Sequence, residues 1–337
     1  MAHPVHEAND NSPFGDLTRE EFYQKHHVIH HESFVLNKQN MKIFTQSWFP
    51  DSESESESVS PASKLRGMVG MVHGYADESS WLVQLTAVGL AKAGFYVCAL
   101  DLQGHGYSEG SRAHIPSLHP LVEDCIQVFD SARNRHKHLP AFLFGESLGG
   151  AISILICLKQ RTEWTGLILN AAMCGVSKKF KPIWPLEELL PAAAFIAPKW
   201  RISITEDPVK KSYKEEWKRK LSLKSPNRVA VAKPTAATAL EFLRICEYIK
   251  RNCHGLEVPL LVVHGGDDKI CDPETARFVY ERVASKDKTL RIFEGVWHQF
   301  IGEPREGVEM AFGTILAWIG ERADKARAIS EASHVEK

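Results

Sequence analysis

Residues Ala141 to Leu158 read AFLFGESLGGAISILICL. An apolar run, Ala141 to Phe144, is followed by Gly145, Glu146, Ser147, Leu148 and Gly149, and then by a second apolar run of helical length. In G-x-S-x-G a strand must turn sharply into a helix, which leaves the central serine on a strained backbone with its hydroxyl exposed. Gly145 and Gly149 carry no Cβ, so helix and strand can approach at the turn. Ser147 then sits at the positive end of a helix dipole, where developing negative charge is favoured. A bare G-x-S-x-G is weak; the flanking strand and helix patterns make Ser147 a candidate nucleophile.

The rest of the chain repeats this alternation of short β-branched runs with longer helical segments, the pattern of a mostly parallel sheet flanked by helices. Strands are predicted at Glu32 to Asn37, Met41 to Trp48, Gly67 to Val72, Phe95 to Leu100, Ala141 to Phe144, Gly166 to Asn170, Leu260 to Val263 and Leu290 to Phe293. The first two, separated by KQN, read as an antiparallel hairpin. Helices are predicted at Trp81 to Lys92, Pro120 to Arg133, Leu148 to Lys159, Ala237 to Arg251, Pro273 to Ala284 and Val308 to Ala323. The fold class is therefore α/β with an eight-stranded sheet.

Within 337 residues the organisation expected is an N-terminal extension (1–30), a core (31–172), an inserted segment (173–234), the rest of the core (235–325) and a C-terminal tail (326–337). Residues 51–63, DSESESESVSPAS, are acidic, serine-rich and too polar to bury, so disorder is expected there. Residues 173–234, rich in Pro, Trp, Lys and Ala, interrupt the alternation between the sixth and seventh strands and are read as a lid over the sheet edge where ligands bind.

Composition excludes several classes. A formal net charge of −1 with 25% charged residues offers no electrostatic argument for a nucleic-acid partner. Seven widely spaced cysteines without a CxxC pattern suit reduced thiols in a cytoplasmic protein. No run approaches the roughly 18 apolar residues of a membrane span, and the N-terminus lacks a signal-peptide pattern.

A serine hydroxyl needs a base to take its proton and a carboxylate to hold that base. On a strand-turn-helix serine these follow in the order acid, then histidine. Three histidines follow Ser147 before the tail. His254 closes a helix, and His264 ends an apolar strand where it would orient a loop. His298, in FEGVWHQF, lies in the loop after the last strand and is the candidate base. The loop HGGDDKICDP offers Asp267, Asp268 and Asp272 as the acid. Asp272 before Pro273 is a helix cap; spacing does not separate Asp267 from Asp268. Two donors for an oxyanion are expected from the amides of Leu148 and Tyr75, the latter in VHGYADESSW after the third strand. His119 and Asp124 spell HxxxxD, a motif associated with acyl transfer, but five positions apart they point about 140° from each other on a helix.

MVHGYADESSW, DLQGHGYSEG, LPAFLFGESLGG, GGDDKICDP and EGVWHQF, in this order, resemble the monoacylglycerol lipase family of α/β-hydrolases, and more closely its plant branch of caffeoylshikimate esterases and lysophospholipase-like enzymes. The resemblance implies that Asp268 is the acid, that Cys271 lies close to the site, and that no metal or organic cofactor is required. It implies a serine ester hydrolase acting on monoacylglycerol-like, lysophospholipid or hydroxycinnamoyl esters. The inserted segment departs most from the family pattern. Its stretch Ile183 to Trp200 is apolar and aromatic, suited to an acyl chain or aromatic acid arriving from a membrane or micelle. The flanking Lys178, Lys179, Lys181, Lys199 and Arg201 read as a solvated charged face, or as a surface for anionic lipid or a carboxylate-bearing ester.

Overall fold

The computed structural model describes residues 1–51, 65–177, 186–202, 208–229 and 233–335. The acidic run, apart from Asp51, lies outside these residues, as do Lys178, Lys179, Lys181 and Ile183 to Pro185.

A short 3₁₀ turn at Pro4–Glu7 and helix α1 (Arg19–Lys25) precede the sheet. Its eight strands are β1 (Val28–Leu36), β2 (Lys42–Pro50), β3 (Gly67–Val72), β4 (Phe95–Leu100), β5 (Ala141–Glu146), β6 (Gly166–Asn170), β7 (Leu260–Gly265) and β8 (Lys288–Phe293). They lie side by side in the order β1-β2-β4-β3-β5-β6-β7-β8. β2 is antiparallel to both β1 and β4, and every other pairing is parallel. All eight predicted strands are present; the largest difference in extent is β1, which starts four residues earlier than expected.

The remaining helices are α2 (Val83–Lys92), α3 (His119–Arg135), α4 (Leu148–Lys159), α5 (Leu186–Ile196), α6 (Pro208–Ser212), α7 (Glu216–Leu223), α8 (Ala236–Asn252), α9 (Pro273–Arg282) and α10 (Arg305–Val335). Strand alternation divides the sheet's side chains between two apolar layers. Met68, Val72 and Leu143 face the layer that holds Phe129 of α3, Ile152 of α4, Ile249 of α8 and Val279 of α9. Val69, Met71 and Phe144 face the layer that holds Leu85 of α2 and Phe312 and Trp318 of α10.

Two terminal segments differ from the expectation. Residues 1–30 are part of the second apolar layer, with Val5 and Phe22 fully buried in it. Helix α1 carries a capping box, Thr18 accepting from the Glu21 amide while Glu21 accepts from the Thr18 amide, a local signal that the patterning of apolar residues alone misses. At the other end, α10 continues through the residues expected to form a tail, to Val335.

Phe22→Ala empties a fully buried site and is expected to cost about 3–5 kcal/mol in a urea or guanidinium titration. A loss below about 1 kcal/mol would mean that the first 25 residues are an appendage rather than core.

Candidate active site

The carboxyl ends of β3, β5, β6, β7 and β8 open onto one edge of the sheet, where crevices form in parallel α/β folds. Ser147 lies between β5 and α4 with φ 53° and ψ −117°, in the left-handed range that a residue with a Cβ rarely adopts. Its amide donates to Asn170 O at 3.0 Å, and its carbonyl accepts from Met173 N at 2.8 Å and Gly150 N at 3.0 Å. The end of β6 and the loop after it thus hold the strained residue in place. The glycines answer to close approach: a Cβ on Gly145 would lie 2.4 Å from Gly149 O, and one on Gly149 would lie 2.1 Å from Val72 O.

His298 Nδ1 lies 2.7 Å from Asp268 Oδ2, and His298 Nε2 lies 3.0 Å from Ser147 Oγ. A carboxylate only accepts, so Nδ1–H donates to Asp268; in the neutral ring Nε2 is then the acceptor for the Ser147 hydroxyl. Asp268 is held from three directions. Its Oδ1 accepts from the amides of Ile270 at 2.8 Å and Cys271 at 3.1 Å. His264 Nε2 lies 3.0 Å from Oδ2, so His264 fixes the carboxylate rather than facing the serine. Asp267 is exposed and Asp268 buried, which separates the pair that spacing left equal. Asp272 caps α9 through the Glu274 amide, as its position before proline predicts.

Burial opposes charge on both partners, but their mutual attraction outweighs it. The imidazoles of His298 and His264 hold the Asp268 carboxyl well below the usual carboxylate range. In His298 the Asp268 carboxylate overcomes desolvation and raises the ring's pKa above its ordinary value, with a further contribution from Glu146.

The amides of Tyr75 and Leu148 donate to no protein acceptor among the described residues. Gly74 brings the first of them close: a Cβ there would sit 3.2 Å from Ser147 Cβ. Side chains fix this loop. His73 spans it, with Nδ1 2.7 Å from Gly74 O while Nε2 accepts from Leu102 N at 3.0 Å. Asp101, fully buried, accepts from the amide and hydroxyl of Ser79, both at 2.7 Å, and from Tyr107 N at 2.9 Å. The DLQGHGYSEG block therefore ties the loop after β4 to the loop that carries Tyr75. Tyr75 itself donates its hydroxyl to Ala113 O at 2.9 Å and packs edge-on against Phe242.

Ser147, Leu148, Tyr75 and His298 line a cavity of about 130 Å³. Met173, Val176, Val209, Pro234, Phe242 and Ile270 supply apolar walls, and Asp77, Tyr213, Arg228 and Gln299 supply polar ones. Val209, Tyr213, Arg228 and Pro234 come from the inserted segment or its boundary, and no sequence motif pointed to them. Cys271 also lines the cavity, its thiol pushed well up by burial and by Asp268, so it is not a thiolate nucleophile. Asp268, Cys271 and His298 place possible metal-ligand atoms within 4.8 Å of one another, but Asp268 and His298 already commit theirs to hydrogen bonds. His119 and Asp124 do not form a site: His119 is exposed at the start of α3, while Asp124 is buried against Asn37 and Gln103.

Residues 63–305 match the family described as serine aminopeptidase, S33. The chain belongs to this family. Proteins similar to it include the Arabidopsis thaliana caffeoylshikimate esterase, 32% identical over 317 residues that cover 93% of this chain and 92% of that protein. The Homo sapiens monoglyceride lipase is 27% identical, over 87% of this chain and 91% of its own length. Among solved structures, the Paleococcus ferrophilus monoacylglycerol lipase superposes with a TM-score of 0.66 at 27% identity, over 76% of this chain and 95% of that one. A soluble variant of the Saccharomyces cerevisiae monoglyceride lipase gives 0.73 at 18% identity, over 87% and 96%, a likeness of fold. This family member is a serine hydrolase with the α/β-hydrolase fold, on the monoacylglycerol lipase and caffeoylshikimate esterase branch.

Gly149→Ala would drive a methyl group into the Val72 carbonyl. The expected result is a stability loss of about 1–3 kcal/mol together with slowed fluorophosphonate labelling. Unchanged labelling at full stability would mean that the turn tolerates a wider approach.

Proposed function

We propose that this protein hydrolyses carboxylic esters through an acyl-enzyme. His298 takes the proton of Ser147, whose Oγ attacks the ester carbonyl; the amides of Tyr75 and Leu148 donate to the oxyanion, and Asp268 stabilises the imidazolium. His298 then passes its proton to the departing alcohol, and water, activated by the same base, releases the acid. The observation that carries this reading is the unbroken hydrogen-bonded series Ser147, His298, Asp268 at a cavity wall, with two amides beside it that donate to no acceptor among the described residues.

The substrates proposed are monoacylglycerol-like, lysophospholipid or hydroxycinnamoyl esters. The cavity lining favours an acyl or aromatic acid part against Met173, Val176, Val209 and Phe242, and a hydroxylated alcohol near Asp77, Arg228 and Gln299. The cavity's 130 Å³ is well under the roughly 300–1,000 Å³ of pockets for drug-sized ligands, so a long acyl chain needs the inserted segment to shift. We therefore propose residues 173–234 as a lid. Its helix α5 exposes Leu189, Phe195 and Ile196, followed by Trp200, at 56%, 89%, 80% and 65% of their surfaces. Such a face suits contact with a lipid surface. No helix among the described residues is long and apolar enough to cross a membrane. The seven cysteines are buried and form no disulfide, which supports a reducing, cytoplasmic setting.

Ser147→Ala is expected to abolish both fluorophosphonate labelling and turnover of a p-nitrophenyl ester, and Asp268→Asn to lower kcat by about 10⁴, while Asp267→Asn stays within about twofold. Labelling that survives Ser147→Ala removes this residue from the chemistry. A panel of 2-acylglycerol, lysophosphatidylcholine and caffeoyl shikimate then ranks the leaving groups.

For the lid, the double variant Phe195→Ser with Ile196→Ser should lower co-sedimentation with phospholipid vesicles at least severalfold while leaving turnover of a water-soluble ester unchanged. Equal vesicle binding by both proteins rules this face out as the contact.

A further inference from the structure

The ring of His298 is fixed by Asp268 on one side and meets Ser147 on the other, yet its main-chain amide and carbonyl make no hydrogen bond among the described residues. The backbone of the base is held through its two neighbours instead. The Trp297 amide, directly before His298, donates to Glu303 Oε1 at 2.7 Å, and the Gln299 amide, directly after it, donates to Ser212 O at 2.9 Å. On the inner side β7 closes against the same loop. The Asp267 amide donates to Val296 O at 3.0 Å, and a Cβ on Gly265 would lie 2.4 Å from Trp297 O.

Glu303 is buried, and a carboxylate is costly to bury unless its bonds compensate. Burial raises its carboxyl above the ordinary value, while the Trp297 amide and Lys214 oppose that rise. Its place just ahead of Pro304 and α10 suits a partner for the helix dipole, but it accepts from no α10 amide among the described residues and turns back to Trp297. Residues 212–218 of the inserted segment hold it there. Lys218, also buried, donates to Glu303 O at 2.5 Å and pairs with Glu215 at 3.1 Å, and the Glu215 amide donates to Gly302 O at 2.9 Å. Lys214 Nζ lies 3.7 Å from Glu303 Oε2 and donates to Gly295 O at 2.7 Å. A Cβ on Gly302 would lie 2.6 Å from the Tyr213 ring, so the two segments leave no room between them.

We propose that Glu303 is a positioning residue for His298. Its carboxylate holds the amide in front of the base, as Ser212 O holds the amide behind it, so that the imidazole reaches Asp268 and Ser147 together. The effect comes from the reach and direction of one hydrogen bond, not from charge acting on the imidazole. Glu303 does not line the cavity, touches no substrate and carries no proton in the reaction. The proposal rests on the assignment of Ser147 and His298 above.

Two conservative substitutions separate reach from charge. Glu303→Gln keeps the length of the side chain and an oxygen for the Trp297 amide but removes the charge. Glu303→Asp keeps the charge but, one methylene shorter, draws its oxygens back from that amide. Misplacing a catalytic group by about 1 Å costs on the order of 10²-fold in rate. At about pH 8, kcat for a p-nitrophenyl ester per fluorophosphonate-titrated site should stay within about threefold of wild type in Glu303→Gln and fall roughly 10–100-fold in Glu303→Asp, with KM within about twofold in both. The low-field proton between His298 Nδ1 and Asp268 should persist in Glu303→Gln and be displaced or broadened away in Glu303→Asp. A Glu303 that only stabilises the fold would lower the melting temperature and leave kcat per titrated site and the proton signal unchanged in both variants. That result, an equal loss of kcat in the two, or the reverse order overturns the proposal. Wild-type protein that fluorophosphonate never labels would remove the assignment of Ser147 and His298 itself, whereas normal labelling with equal kcat in the two variants removes only the role of Glu303.

Discussion

The site depends on one backbone contradiction: a serine held at φ 53° between a strand and a helix that approach too closely for any side chain at the flanking positions. Strain of this kind persists only where surrounding structure over-determines it. Here the Ser147 amide is claimed by β6 and its carbonyl by the loop that follows. The glycines do not supply a left-handed conformation; Ser147 adopts that itself. They remove the Cβ atoms that would otherwise collide with Gly149 O and Val72 O. The consequence is a hydroxyl presented to the crevice from a turn that its neighbours hold on both sides.

Around that hydroxyl the protein sets opposing electrostatic effects of unequal size. Desolvation alone would keep both Asp268 and His298 neutral. Two imidazoles and two backbone amides face Asp268, and they win, so the carboxylate stays ionised in a buried place. Its charge then favours the imidazolium that the proposed mechanism forms when the serine loses its proton. Glu78, nearby on the loop after β3, accepts from the Ser80 amide and the Ser225 hydroxyl, yet burial with Asp101 and Asp77 beside it pushes its carboxyl up to about 8. The difference between these acids lies in the donors and cations packed around each one.

The loop carrying Tyr75 shows how much of the molecule is committed to placing one amide. His73, Asp101 and Ser79 join the ends of β3 and β4 through bonds of 2.7–3.0 Å, all of them buried. In the proposed mechanism that amide meets a short-lived oxyanion, and it must already be aimed before the charge appears, because reorganising it during the reaction would cost what the contact contributes. The inserted segment is built differently. It presents exposed apolar side chains and lines a cavity smaller than the proposed substrates, which is consistent with the lid proposed above.

The strand and helix order, the bend at Ser147, the cap at Asp272 and the candidate base at His298 were legible because each is a local matter of side-chain period, glycine placement or position after a strand. Capping at Thr18 was equally local, yet residues 1–30 read as an extension, since burial of Phe22 depends on what α10 and the sheet place against it. Asp267 and Asp268 are adjacent and chemically identical. Only the path of the chain after β7 turns one to solvent and the other to two histidines. Arg228, Tyr213 and Asp77 meet at the cavity from segments far apart in the chain, with no motif to announce them. The sequence by itself determined which chemistry was possible, because nucleophile, base and acid must be particular residue types in a particular order. Tertiary structure decided which groups carry charge, because burial and the distance between remote side chains set proton affinity, and neither is a property of neighbours along the chain.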